Sequence, residues 1–216
     1  MPAPVIDEFS TRAVTRITGV TARQLDYWAN TDFIVPSVQV GAGRGKVRLY
    51  SFVDLVQVKV AKRLSDAGIS LQKMRRAVAT LRSLAPDISK PLAQFELVSD
   101  GQDVFVSYNA EQMVAITRRT GQFYWRLKVG DIVREVTSKV KELAHAEEAT
   151  VRIDGHSYPV IIYRDLDSKW WIGRCPTVQG CVTQGKDRSD LLVMLEDAIA
   201  ECLTSDRGKR SSRGLV

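Results

Sequence analysis

The stretch STRAVTRITGVTARQLDYWANTDFIVPS, residues 10–37, decides the fold because it places two capped helices around one tight turn. Ser10 is a helix-capping residue in front of a predicted first helix. Gly19 lies where a left-handed backbone is needed and costs little. Thr21, with Gln24 three residues later, has the spacing of a capping box for a second helix. This order predicts a helix-turn-helix.

The second predicted helix is amphipathic. Leu25 and Trp28 are three residues apart and therefore share one face, which we expect to be buried. Arg23, Gln24 and Tyr27 point elsewhere. The helix is therefore expected to present polar side chains outward.

A hairpin wing is predicted after Pro36, over residues 41–50. Residues 41–45 are rich in glycine, and Arg44, Lys46 and Arg48 share a parity, so on an extended strand they face the same side. Such a strip suits a phosphate backbone. Two more helices follow, one opened by Ser51 and the other ending before Pro86.

Residues 9–84 resemble the DNA-binding domain of the MerR family of bacterial transcriptional regulators. The resemblance is carried by the segment quoted above, by VRLYSF at 47–52 and by DLVQVKVAKRLSDAGISLQKMRRAV at 54–78. It implies a winged helix-turn-helix whose second helix enters the major groove while the wing follows the DNA backbone. The implied DNA contacts are Thr21, Arg23, Gln24 and Tyr27 on the helix, and Arg44, Lys46, Arg48 and Tyr50 on the wing.

Asp26 departs from the family pattern, in which a basic or neutral residue is common. Its carboxylate would either accept a hydrogen bond from a cytosine amino group or turn away and pair with protein. Both alternatives stay open from the sequence.

The middle of the chain does not continue as the long coiled-coil helix of typical family members, because Pro86 and Pro91 interrupt it and no heptad pattern persists. Residues 95–146 instead predict a small α/β domain: a strand, a turn at Asp100-Gly101, a strand, a helix over residues 109–121, a strand and a final helix. They resemble the regulatory or assembly domain of MerR-type proteins from actinobacteria. Aromatic residues at 123–125 could line an effector site, but a core or interface role is the simpler interpretation.

Residues 151–204 predict three strands and a helix. Tyr158-Pro159-Val160, Cys175-Pro176 and the run GCVTQG at 180–185 resemble the HicB-type antitoxin domain. That resemblance implies a small toxin partner and no catalytic acids. Asp165 and Asp167 are expected to be turn residues rather than metal ligands, and the three cysteines, without paired zinc spacing, are expected to be reduced.

The charge distribution agrees with this arrangement. Residues 1–84 hold 13 Lys and Arg against 6 Asp and Glu, residues 85–204 hold 14 against 18, and residues 205–216 hold 4 against 1. A basic first third is typical of a domain that contacts phosphates. Residues 1–8 are expected to be an N-terminal tail and residues 205–216 a disordered basic tail.

The sequence therefore predicts an α+β protein with an N-terminal winged helix-turn-helix, a small α/β middle domain and a C-terminal HicB-like β-β-β-α domain. We expect a cytoplasmic, sequence-specific transcriptional regulator that binds double-stranded DNA as a homodimer or higher oligomer, at a near-palindromic promoter site. The alternative is an antitoxin that binds a small toxin and autoregulates its operon. An unidentified small-molecule effector is an open partner. No catalytic residues, metal, cofactor or membrane association is expected.

Overall fold

The computed structural model describes residue 6 and residues 8–41, 47–84, 87, 89–93, 96–99, 104–107 and 125–211. Within these residues the chain forms two units, one comprising Ile6–Lys139 and one that begins at Val140. The helices are α1 Thr11–Thr18, α2 Ala22–Asn30, α3 Phe52–Asp66, α4 Leu71–Leu84, α5 Val129–Ala144 and α6 Arg188–Ser211, with a 3-10 turn at Pro91–Ala93. None of the described helices is both long and apolar enough to cross a membrane.

The first unit begins with the predicted helix-turn-helix. Ser10 caps α1 by accepting a hydrogen bond from the Ala13 N–H at 3.1 Å, and Gly19 ends the helix with φ +77°. A residue with a Cβ would be strained at that angle, whereas glycine is not. The turn then carries the buried Val20 into α2.

Two short strands pair antiparallel beside these helices. They are β1 Phe9–Ser10 and β2 Leu49–Tyr50, and an isolated bridge joins Gln39 to Leu49. The predicted wing therefore leaves the domain beside β2. Its tip, residues 42–46, lies outside the described residues.

The core of the helix-turn-helix region forms where α1, α2 and α3 meet. Trp28 and Phe33 pack edge to face with ring centroids 5.6 Å apart, a favourable aromatic geometry. α3 is buried on more than one side, since the polar residues Asp54 and Gln57 are buried along with its apolar face. The main buried side chains are Phe9, Val14, Ile17, Leu25, Trp28, Phe33, Leu55, Val58, Val60, Leu64, Met74 and Leu81.

The middle segment contributes a three-stranded antiparallel sheet to the first unit. Its strands are β3 Glu96–Ser99, β4 Val104–Ser107 and β5 Trp125–Leu127, in the order β4-β3-β5. The two strands predicted on either side of residues 100–101 are present, as is the predicted final helix, α5, whereas the turn itself lies outside the described residues. The helix predicted at 109–121 and the aromatic residues Phe123 and Tyr124 lie outside the described residues.

The second unit is a four-stranded antiparallel sheet covered on one face by α6. Its strands, in spatial order, are β6 Glu147–Ile153, β7 His156–Arg164, β8 Trp171–Arg174 and β9 Val182–Gly185. Leu191, Leu195 and Ile199 recur every four residues and are fully buried against the sheet.

Three sequence predictions for this unit need correction. Four strands are present rather than three, and the sheet begins at Glu147 rather than 151. Glu147 and Glu148 are tolerated because β6 is an edge strand, and Glu147 accepts a hydrogen bond from Arg188 Nε at 2.7 Å. The terminal helix also continues to Ser211, past the predicted start of a disordered tail at 205; no proline follows residue 204 to stop it.

Candidate DNA-binding surface

The N-terminus of α2 is held by the capping box that the sequence predicts. Thr21 Oγ1 accepts a hydrogen bond from the Gln24 N–H at 3.2 Å, and Gln24 Oε1 accepts one from the Thr21 N–H at 3.0 Å. The cap uses the carbonyl oxygen of the Gln24 side chain and not its amide nitrogen. Both residues lie at the N-terminal end of α2.

The outward face of α2 carries Arg23 and Tyr27, both exposed, while Leu25 and Trp28 are buried as predicted. Tyr27 is 52% exposed, so its ring and hydroxyl are accessible to a partner. The guanidinium of Arg75 on α4 lies over its ring, 5.9 Å from the centroid, and donates a hydrogen bond to Thr31 Oγ1. The role of Arg75 could not be predicted from the sequence, because it lies 44 residues beyond Thr31.

Asp26, on the same helix, pairs with protein in this structure. Its Oδ1 lies 2.5 Å from Arg48 Nη1, and its Oδ2 accepts a hydrogen bond from Asn30 Nδ2 at 3.0 Å. Arg48 Nη2 donates to Asn30 Oδ1 at 2.8 Å. Of the two alternatives that the sequence left open, the structure thus shows the second.

The four predicted wing residues have different outcomes. Arg44 and Lys46 lie outside the described residues. Arg48 is described, but its side chain is only 20% exposed and its guanidinium is bound to α2. The prediction that Tyr50 contacts DNA is wrong for this structure, because Tyr50 is fully buried. Tyr50 belongs to β2, whose pairing with β1 turns the side chain into the core, and burial raises the pKa of its hydroxyl.

A buried carboxylate fixes the loop that follows α2. Asp54 accepts hydrogen bonds from the Ser37 N–H at 2.9 Å, Ser37 Oγ at 2.6 Å and the Ser51 N–H at 2.9 Å, and it forms an ion pair with Lys90. Burial alone would raise the pKa of Asp54, but the hydrogen bonds from Lys90, Ser37 and Ser51 outweigh it and lower the pKa. From the sequence, Ser51 was identified at this helix start, but the contacts of Asp54 with Ser37 and Lys90 were not.

A second ion-pair cluster joins α3 to α5. Glu135 Oε1 lies 3.0 Å from Lys59 Nζ, and its Oε2 accepts a hydrogen bond from Arg63 Nη2 at 2.8 Å. Burial would raise the pKa of Glu135, but Arg63 and Lys59 reverse that effect and lower it. Together with the Asp54–Lys90 pair, this cluster connects the helix-turn-helix to the middle segment within the first unit.

The second unit shows no arrangement typical of a metal site within its described residues. No group of three or more His, Cys, Asp or Glu side chains converges there. Cys175 and Cys181 are buried core residues, and burial, reinforced by neighbouring Cys202 and Cys175, raises the pKa of Cys181 to about 11. Asp165 accepts a hydrogen bond from the Ser168 N–H at 2.7 Å, which is the turn role predicted for it.

Part of the chain matches a known protein family. Residues 9–81 match the family model described as MerR HTH family regulatory protein. The match confirms the MerR-type part of the sequence prediction and identifies this segment as a helix-turn-helix domain of that kind. The surface formed by α2 and the wing base lies within the matched residues.

The chain is also similar to three mycobacterial proteins, each described as an uncharacterized HTH-type transcriptional regulator. One is from Mycobacterium bovis and two are from strains of Mycobacterium tuberculosis. Each is 42% identical over 134 residues, which cover 62% of this chain and 57% of the relative. The chain thus matches little more than half the length of these relatives.

Proposed function

We propose that this protein is a sequence-specific DNA-binding transcriptional regulator in which α2 is the recognition helix. The observation that carries the proposal is the outward face of α2, where Arg23 and Tyr27 are exposed within a segment that matches the MerR family. An arginine on such a helix can donate two hydrogen bonds to one guanine, and a tyrosine hydroxyl can bind a phosphate. Thr21 and the amide nitrogen of Gln24 complete this face.

The wing supplies the contacts that do not depend on sequence. Arg44 and Lys46 are proposed to bind phosphates on the flank of the site, where each neutralised phosphate releases counterions and makes binding depend on salt. The basic balance of residues 1–84 supports this role.

The protein is further proposed to act in the cytoplasm as a homodimer on a near-palindromic promoter site. A two-fold axis would present two copies of α2 to half-sites about 34 Å apart, one turn of DNA. Since Pro86 and Pro91 preclude one long coiled-coil helix, the dimer contacts are expected in the middle or C-terminal segments. Those segments would also hold any effector site.

The test is selection from a library of random DNA duplexes with the purified chain, followed by binding measurements on the enriched site. Enrichment of a near-palindrome is expected. Arg23→Ala should then cost about 1–3 kcal/mol and relax preference at one base pair of each half-site. Arg82→Ala, which removes the same charge from the last turn of α4, is the matched control. If no sequence is enriched, the proposal fails.

Lys46→Ala tests the wing separately from the recognition helix. It should weaken binding to every duplex and flatten the dependence of log affinity on log salt by about one counterion. An unchanged slope would remove Lys46 from the interface.

A second candidate function is that of a HicB-like antitoxin. The GCVTQG run forms part of a small antiparallel sheet with one helix packed on it, an arrangement compatible with a protein-binding module. Affinity purification from the native host discriminates between the two functions. A small basic protein recovered in equal amount, together with DNA occupancy only at the protein's own promoter, would favour the antitoxin. Occupancy of many promoters without such a protein would favour the broader regulator.

A further inference from the structure

The side chains of Asp26, Asn30 and Arg48 form a closed ring of hydrogen bonds between α2 and the strand at the base of the wing. Arg48 donates through both terminal nitrogens, to Asp26 at 2.5 Å and to Asn30 at 2.8 Å, while Asn30 donates back to Asp26 at 3.0 Å. We call this ring the wing latch. It joins residues that are 22 and 18 positions apart in sequence.

We propose that Asp26 and Asn30 are positioning residues that set DNA specificity by holding Arg48, so that the wing and the recognition helix meet DNA in one preset arrangement. The inference rests on the proposed DNA-binding function and deepens it. Asp26 acts through Arg48 in this account and does not read a base.

The position of Arg48 in the chain explains why holding its side chain holds the wing. Arg48 directly precedes β2, and the next residue, Leu49, exchanges backbone hydrogen bonds with Gln39 at 3.0 and 3.1 Å. The backbone bridge thus fixes the two sides of the wing to each other, and the latch fixes them to α2. DNA binding then costs less conformational entropy in the wing, which favours the DNA site that fits the preset arrangement.

The charges of the latch also explain why a carboxylate is tolerated on a surface that faces DNA. Asp26 is 56% exposed, and alone it would repel phosphates. Paired with Arg48, it cancels one positive charge at the wing base and so lowers affinity for DNA of any sequence. Because specificity is the ratio of specific to non-specific affinity, a loss shared by all DNA leaves discrimination unchanged, and the gain in discrimination comes from the preset arrangement of the wing.

The experiment compares four variants of the full chain: Asp26→Ala, Arg48→Ala, the double variant, and Asp66→Ala as control. Asp66 is matched to Asp26, since it is also a helical carboxylate that is 56% exposed and paired with one cation, Lys62. Affinity is measured for the selected site and for a scrambled duplex, at several salt concentrations. Alanine is a good helix former and keeps α2 intact.

We expect Asp26→Ala to lower the ratio of specific to scrambled affinity by about 1.4- to fivefold, the range for an ion pair of this exposure. Its salt dependence should steepen by about one counterion, because the released Arg48 is free to bind a phosphate. Arg48→Ala should lower the ratio by a similar factor, and the double variant should be no worse than Arg48→Ala. Asp66→Ala should leave the ratio unchanged.

The inference is overturned if the losses from Asp26→Ala and Arg48→Ala add, or if Asp26→Ala relaxes preference at a single base pair even when Arg48 is absent. The second result would make Asp26 a base-reading residue. If the unmodified protein selects no DNA sequence, the proposed function fails, and the latch is tested by amide hydrogen exchange in the free protein. Faster exchange of the Leu49 N–H in Asp26→Ala, but not in Asp66→Ala, supports the latch, whereas equal rates overturn it.

Discussion

Replacing Gly185 with alanine is expected to destabilise the second unit more than any other single added methyl group in that sheet. Gly185 ends β9, where the strand passes against the first turn of α6. A Cβ there would lie 2.5 Å from the Leu191 backbone nitrogen and 2.7 Å from its Cα. Backbone atoms cannot rotate away as a side chain can, so the strand and helix must separate.

The magnitude follows from what has to move. Added methyl groups in packed interiors typically cost about 1–3 kcal/mol, and a clash with helix backbone belongs at the upper end. The shift would also strain the helix start, where the Leu191 N–H donates to the Asp187 carbonyl at 3.0 Å and the Lys186 N–H donates to Asp190 Oδ2 at 2.9 Å. We therefore expect Gly185→Ala to lower the free energy of unfolding by about 3 kcal/mol.

Urea unfolding followed by tryptophan fluorescence measures this loss, since Trp170 and Trp171 lie in the same sheet region. Gly180→Ala is the control: it meets no atom within 4 Å in the described part of the chain, and its φ of +75° should cost only about 1 kcal/mol. Gly173→Ala should fall between them, because its Cβ would meet side-chain atoms of Leu195 rather than helix backbone. The reasoning is refuted if Gly185→Ala costs no more than Gly180→Ala.

Three further outcomes follow from buried groups. Tyr50→Phe should leave DNA affinity within twofold of the unmodified protein in a binding titration, because a fully buried side chain does not meet DNA; a tenfold loss would restore Tyr50 as a contact. Burial raises the pKa of Cys181 to about 11, so its thiol should resist a thiol reagent at pH 8 until the protein unfolds. The same raised pKa means that the free energy of unfolding falls as pH rises from about 9 towards 11. The pKa of Asp54 is lower in the folded protein than its value near 3.8 in the unfolded chain, so its contribution to stability is present above pH 3.8 and is lost as pH falls through the folded-state pKa. Acid unfolding of Asp54→Asn should therefore show a weaker pH dependence below pH 4.

Local signals in the sequence predicted the starts of the first three helices well because each of these starts is encoded within four residues. Ser10, Thr21 and Ser51 cap α1, α2 and α3 as their spacing indicates, since a capping side chain reaches only the backbone of its own first turn. The turn at Gly19 is equally local. The burial of Leu25 and Trp28 follows from helical periodicity alone.

Contacts between distant positions could not be predicted in the same way. Nothing near Asp54 indicates that Lys90 would reach it, and parity along the wing suggested that Arg48 faces outward. Arg48 instead binds α2 because the carboxylate of Asp26 and the amide of Asn30, one helical turn apart, form a matching acceptor pair. The alternation of residues in a strand fixes its two faces, but it does not show which helix lies beside it.

The late predicted start of the second unit, inside β6, has a different cause. Residues 147–153 read EEATVRI, and two glutamates at the start weaken the strand signal. The hairpin that follows was the better indicator: Asp154 and Gly155 both adopt positive φ, 50° and 78°, as a two-residue turn between antiparallel strands requires. An Asp-Gly pair there implies strands of similar length on both sides, which β6 and β7 are.

The ion pair between Asp54 and Lys90 has an evolutionary consequence. Asp54 is completely enclosed, so loss of Lys90 would leave a charge without compensation inside the protein, and loss of Asp54 would leave an ammonium group largely shielded from water. Neither position can change alone without a large loss of stability. Across divergent sequences that keep this fold, positions 54 and 90 should therefore change together or not at all, which makes them an expected covarying pair separated by 36 residues.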